Sequence, residues 1–407
     1  MSRIKEKVTY PSDWKTKKLG ELGTFLKGKG IAKSETKANG LPCIRYGEIY
    51  THHHYYIKEF YSFIDEETAK KSIEIRKGDI LFAGSGETMG EIGKSVAFIH
   101  DEKAYAGGDI IILRTQGVNS QYLAFALNEG RLAKERAKLG QGHSVVHIYS
   151  KELKELVVNL PPDIEQQKIA DIISIWDKAI ELKEKLIEQK KKQKKGLMQK
   201  LLTGEIRLPG FKGELKKLKL LDFCTTFSGG TPSRQKREYY ENGTIPWIKS
   251  GELNAKKVIH TEEFITEDGL ENSSAKMVYP ETILLALYGA TAGVVAMSKI
   301  KAAINQAILA IIPNDNCNNK FLFYYLEYYM DQVVKKYTQG GQPNLNAKTI
   351  KNLVVNLPSI EEQYKIADIL SLMDINIQFL EKKLDNLKMQ KKGLMQLLLT
   401  GKVRVQV

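Results

Sequence analysis

Along two long stretches of this 407-residue chain, apolar side chains recur in alternating steps of four and three. The later stretch reads Ile366, Leu370, Met373, Ile377, Leu380, Leu384, Leu387, Lys391, Leu394 and Leu398. The earlier reads Ile169, Ile173, Trp176, Ile180, Lys183, Ile187, Lys190, Lys194, Leu197 and Leu201. A mean step of 3.5 residues is the pattern of a coiled-coil seam. About 38 residues at roughly 1.5 Å each make a rod of about 57 Å. One such helix cannot hide its stripe alone, but two of equal length can hide each other's. A long globular block separates them, so the spacing predicts that they pair antiparallel.

The two stretches belong to an internal repeat. Leu153–Arg207 aligns with Ile350–Arg404 without a gap, and 32 of the 55 positions are identical. Each copy opens with a short strand-like run, ELVVNLPP or NLVVNLPS, closed by Pro161 or Pro358. Asp163 with Gln166, and Ser359 with Glu362, have the spacing of a helix-starting capping box. KKGLMQKLLTG and KKGLMQLLLTG then end at Gly204 and Gly401, where glycine suits a helix C-terminus.

The blocks between the copies resemble each other weakly. LPCIRYGEI (from Leu41) matches IPWIKSGEL (from Ile245), and DILFAGSGETMG (from Asp79) matches TILLALYGATAG (from Thr282). LGQGHSVVHI (from Leu139) is placed like TQGGQPNLN (from Thr338). Each block mixes short β-branched runs with one helical stretch, near residues 122–138 and 321–336, so both read as α+β domains. The expected order is domain 1–152, strand and long helix 153–207, domain 208–349, strand and long helix 350–407. Antiparallel helices would relate the halves by a pseudo-twofold axis.

A net charge of +14 favours a polyanionic partner. Two similar basic heads on a ruler suit two separated DNA segments, and heads of different sequence suit two different half-sites. The three cysteines, Cys43, Cys224 and Cys317, are isolated, which indicates neither a zinc ribbon nor a disulfide framework. The opening MSRIKEKVTYPSDW carries no apolar signal core, and ILLALYGATAGVVAM is too short to span a bilayer. A cytoplasmic protein without a membrane partner is expected.

Motifs for catalysis are incomplete. FAGSG (Phe82–Gly86) has the glycine spacing of an adenosylmethionine loop, but NLPPD at Asn159 lacks the aromatic that grips a flipped base. GEIGKS (Gly90–Ser95) has Thr88 where a P-loop needs its first glycine. His52–His54 read as an exposed loop better than as a zinc site, since neighbouring side chains diverge. The run KKKQKK (Lys190–Lys195) puts lysines at the seam. Their stems could lie along the partner helix with the amines in water, which leaves phosphate contact and plain solubility both open.

The whole chain resembles the specificity subunit of type I restriction–modification enzymes. The likeness is carried by FSGGTPSRQKREYYENGTIPWIKSGEL (Phe227–Leu253), by LPPDIEQQKIADII with its echo LPSIEEQYKIADIL, and by the twice-used KKGLMQ and LLTG. The first block departs from the pattern, with LKGKGIAKSE in place of FSGGTPSRQK and no Trp-Ile after it. The resemblance implies two target recognition domains, each reading one half of a bipartite asymmetric DNA site, and an antiparallel coiled coil that sets the spacer. It implies no catalysis and no cofactor in this chain. Two modification subunits would bind S-adenosylmethionine, and two restriction subunits would use ATP and magnesium. The repeated helix ends would seat the partners.

Base-reading candidates lie on the matched loop-like segments. They are Arg45, Tyr46, Lys94, His143 and His147 in the first block, and Lys249, Ser250, Tyr288, Gln339, Gln342 and Asn344 in the second. A self-sufficient DNA adenine methyltransferase and an orphan DNA-binding scaffold without a nuclease partner are the competing readings.

Overall fold

The computed structural model describes residues 9–142, 144–337 and 345–406. Its contacts divide the chain into two units. One takes the chain as far as Lys183 and again from Lys383; the other is Glu184–Lys382. The division falls inside both long helices, Asp163–Thr203 and Ile360–Leu399, so each unit holds a segment of each helix.

In the first unit an antiparallel sheet is built from Gly23–Lys27, Ile110–Thr115, Ile80–Ala83 and Ser95–Ala97, in that order. A second sheet orders Ser62–Ile64, Leu41–Ile44, Ala104–Ala106 and Ile73–Ile75. The second unit repeats the plan. Cys224–Ser228, Ile308–Pro313, Ile283–Ala286, Val295–Ser298 and Lys257–Val258 form one sheet, and Phe264–Ile265, Ile245–Ile248, Ala302–Ile304 and Lys276–Val278 the other. Gly28 and Gly229 follow the first strand of each plan. A Cβ on either would lie about 2 Å from a backbone carbonyl oxygen, of Gly107 or Ile304, so only glycine fits.

Each block's helical stretch also forms, with one difference. In the second unit it is continuous, Asn319–Tyr337. In the first it breaks into Ser120–Asn128 and Gly130–Ala137. Glu129 is extended there, and Gly130 adopts φ +56°, which a glycine reaches without strain.

Within each unit the two long-helix segments run antiparallel. In the first, Arg404 meets Glu165 and Lys391 meets Asp177. In the second, Arg207 meets Glu362, Lys194 meets Asp374, and Lys191 meets Glu381. As one number climbs, the other falls. Ile169 and Ile173 share a buried cluster with Met395 and Leu398, and also with Tyr122 and Leu123 of the first α+β block. Ile366 and Leu370 do the same with Met198, Leu201, Phe321 and Leu322. Near their ends the stripes therefore serve two neighbours at once, the partner helix and the block's own helix. Burying one such isoleucine is worth roughly 2 kcal/mol.

None of the sixteen apolar seam candidates is exposed. Ile169, Ile173, Ile187, Leu201, Ile366, Leu370, Ile377, Leu380 and Leu398 are buried, and Trp176, Ile180, Leu197, Met373, Leu384, Leu387 and Leu394 are half-buried. Of the two seam lysines in KKKQKK, Lys190 is half-buried with its amine on the neighbouring Gln193, and Lys194 departs from the expectation. Lys194 is 8% exposed, with its Nζ 2.7 Å from Asp374 Oδ1 and over the Tyr324 ring. Lys391, one repeat on, is also 8% exposed, 2.6 Å from Asp177 Oδ1 and over the Tyr55 ring. These amines do not reach water or offer themselves to phosphate. Each neutralises an aspartate that the repeat also duplicates.

The helix ends match as well. Gln166 and Gln363 each donate to the carbonyl of Pro161 or Pro358 and accept from the backbone of Asn119 or Asn318. At the far ends Gly204 and Gly401 have φ of +77° and +68°, the left-handed region where glycine is favoured.

Candidate nucleic-acid interface

The first unit gathers its loop-borne polar residues around Tyr50. The short helix Tyr46–Thr51 begins after Arg45, whose backbone N–H donates to the Glu48 carboxylate. Glu48 is buried and also accepts from the Ser62 hydroxyl, so it pins the start of this helix. Arg45 is left half-buried and Tyr46 exposed. The Tyr50 hydroxyl donates to the Ser85 carbonyl at 3.1 Å, and Lys94 Nζ donates to the Tyr50 carbonyl at 3.4 Å. Ser85–Gly86 pairs with Val146–His147 as a short antiparallel ribbon. Across it Ser85 Oγ lies 2.9 Å from His147 Nδ1, which fixes the ring of a half-buried histidine.

Arg45, Tyr46, Lys94 and His147 are thus brought onto connected segments. His143 lies outside the described residues. The histidine triplet lies in a loop, as expected, but is not exposed throughout. His52 and His54 are exposed, but His53 is 2% exposed, with its Nε2 unpartnered. Burial and the neighbouring cations pull it down to about 4. Among the described residues no group of histidine, cysteine, aspartate and glutamate is arranged to hold a metal ion.

The second unit uses the same frame with other side chains. Lys249 precedes a short helical turn, Ser250–Ala255, and its backbone N–H donates to Glu252 at 2.8 Å, as Arg45 does to Glu48. Glu252 in turn accepts from Thr261. Here the cation has a partner: Lys249 Nζ is 2.6 Å from Glu263, which raises the lysine above its ordinary value. Glu263 also binds Arg234, whose guanidinium lies over the Tyr240 and Trp247 rings. Trp247 donates to the Gly230 carbonyl, which ties the SGGTP turn to the PWI strand. Ser250 and Tyr288 are half-buried. Gln339, Gln342 and Asn344 lie outside the described residues.

The anchoring carboxylates Glu48 and Glu252 were not among the sequence candidates. Their signal is present, since Gly-Glu is the shared core of RYGE and KSGE. The arrangement offers cations, hydroxyls and an imidazole on turns fixed from below, which suits hydrogen bonding to base edges and phosphates.

Comparisons with known proteins agree with one another. A family model described as type I restriction modification DNA specificity domain matches residues 11–191 and 212–389. The MjaVIII type I restriction enzyme specificity subunit of Methanocaldococcus jannaschii is 28% identical, over 98% of this chain and 95% of its own. The EcoR124I/EcoR124II specificity subunit of Escherichia coli is 28% identical over 52% of this chain and 54% of its own. The crystal structure of the type I restriction-modification S subunit from M. genitalium superposes with a TM-score of 0.61 at 18% identity, covering 97% of this chain and 98% of that one.

Proposed function

The chain belongs to the type I restriction–modification DNA specificity family, and from that premise we propose that it is the DNA-reading subunit of such a complex. Residues 1–152 and 208–349 act as two target recognition domains, each reading one half of a split, asymmetric site. Residues 153–207 and 350–407 supply the strands and long helices that set the spacer and seat the partner subunits. Those partners are two modification and two restriction subunits, which bring S-adenosylmethionine, ATP and magnesium; this chain contributes recognition and no chemistry of its own.

One observation carries this reading. The charged and capping residues of the long helices recur 197 positions apart in identical roles, while the loops above them share a frame and differ in side chains. Equivalent partners need equivalent seats, and different words need different readers. Arg45, Tyr46, Lys94, His143 and His147 are the proposed contacts to one half-site. Lys249, Ser250, Tyr288, Gln339, Gln342 and Asn344 are those to the other. Lys249 would exchange Glu263 for DNA on binding.

Base-resolution mapping of methyl-adenine in host DNA, with and without the gene, tests the proposal. A two-part motif that vanishes with the gene is the expected result. A methylation pattern independent of the gene would contradict it.

A further inference from the structure

Behind the loop that carries Gly93, the first unit holds a cavity of about 270 Å³. His54, Tyr55, Glu91, Lys94, Glu129 and Arg136 are among its lining residues. Arg136 is 4% exposed. Its Nη1 donates to Asn128 Oδ1 at 2.7 Å and to the Leu127 carbonyl at 3.3 Å, and its Nε has no partner. The Asn128 amide is itself held by the carbonyls of Ser95 and Ala124, so the guanidinium is fixed in place. Lys94 is half-buried, and among the described residues its amine hydrogen-bonds only to the Tyr50 carbonyl.

Neither cation has a carboxylate within 4.0 Å among the described residues. Glu129 is occupied by the Tyr55 hydroxyl at 2.7 Å, and Glu91 is exposed to water. Glu91 attracts both cations from a distance but pairs with neither, so the charge of the buried Arg136 is only partly compensated, which is costly. Burial pulls the Arg136 guanidinium down to about 10 and lowers Lys94 as well.

The second unit makes clear that the fold does not need this arrangement. The main chain there is the same: Ala83 N–H donates to the Lys94 carbonyl and Gly93 N–H to that of Ala83, as Ala286 does to Val294 and Gly293 to Ala286. A Cβ built on Gly93 would meet Arg136, and one built on Gly293 would meet Val334. Lys94 and Arg136 therefore stand where the other unit has Val294 and Val334. Two half-buried valines in one unit are thus replaced in the other by a buried arginine and a half-buried lysine.

We infer that this cavity is a phosphate-binding pocket, with Arg136 and Lys94 as its ligands and Asn128 as the residue that orients Arg136. A phosphate group would bring a counter-charge into direct contact with both cations and supply acceptors for the fork of Arg136. The DNA backbone is one source and a free phosphate the other; the first rests on the DNA-reading proposal above, the pocket itself does not.

The test uses the full chain and three variants: Lys94→Gln, Arg136→Lys, and the double change Lys94→Val with Arg136→Val, which copies the other unit. Thermal unfolding is followed in inorganic phosphate and in chloride of equal ionic strength, and DNA affinity is followed against salt. Phosphate should raise the melting temperature of the unaltered chain, and Lys94→Gln and the double variant should lose that rise. The plot of log affinity against log salt should become shallower by about 0.9, the loss of one phosphate contact. Loss of phosphate protection with an unchanged slope would assign the pocket to free phosphate. Absence of DNA binding by the unaltered chain would defeat the DNA reading alone, with the phosphate arm still deciding the pocket. No protection beyond chloride, or equal protection in the variants, would overturn the inference.

Discussion

Three positions in the first unit differ sharply from their counterparts in the second, while the clasps between the long-helix segments are the same. Lys94 and Arg136 face Val294 and Val334 across the repeat, and His147 shares its loop ribbon with Ser85, where the matched segment of the second unit has Tyr288. Yet Arg404–Glu165 and Arg207–Glu362, and Lys391–Asp177 and Lys194–Asp374, are the same pairs made twice. The difference separates what holds each unit together from what each unit reads. A frame can be duplicated unchanged, because its task is the same in both halves.

The clasps should give the largest effects. Glu362 is fully buried, so Arg207→Met would strand its charge and destabilise the second unit by about 4 kcal/mol. Arg404→Met should do nearly the same to the first unit through Glu165. Denaturant unfolding can assign each loss, with Trp247 reporting on the second unit and Trp14 and Trp176 on the first. Unequal losses would break the equivalence.

Next comes acid. Six of the seven histidines fall in the first unit's part of the chain, and among the described residues His53 is the buried one there. The unfolded chain binds that proton near pH 6.5, while the folded chain waits until about 4. Stability is therefore complete above pH 6.5 and is lost as pH falls toward 4, by about 3 kcal/mol. The first unit should unfold earlier than the second on acidification, and His53→Leu should flatten its profile over that window.

Smaller still is the seam. Lys194→Met and Lys391→Met should each cost about 2 kcal/mol, because the stranded aspartates keep some access to water. Replacing Lys194 and Asp374 together by leucines should recover most of that loss, as should the same pair of changes at Lys391 and Asp177. The smallest effect belongs to Ser85→Ala. Freeing the His147 ring should weaken binding to one half-site by about 1 kcal/mol and leave the other unchanged, measured on DNA altered in each half separately.

Much of the frame was legible because it is periodic and duplicated. The 3.5-residue step and the identical residues 197 apart need no knowledge of distant contacts. Lys194 misled because a charge on a helix looks solvated until its partner is known, and that partner lies on the other long helix. A hint was there: Asp177 and Asp374 are duplicated too, which a merely solvated face does not require. Arg136 gave no local sign of burial, since its cavity forms from segments as distant as His54 and Asn128. The break at Glu129 was hidden in an unremarkable Asn-Glu-Gly, where only Gly130 hinted at a turn.

The central claim is that two separate readers are held at a distance set by the paired helices. Its most direct test inserts seven residues, two helical turns, into each long helix at matching points and maps methyl-adenine again. Two turns add about 10.5 Å, or roughly three base pairs at 3.4 Å each. Both half-words should persist with a spacer lengthened by about that number. Retention of the original spacing, or a motif that is a single unbroken word, would contradict the account.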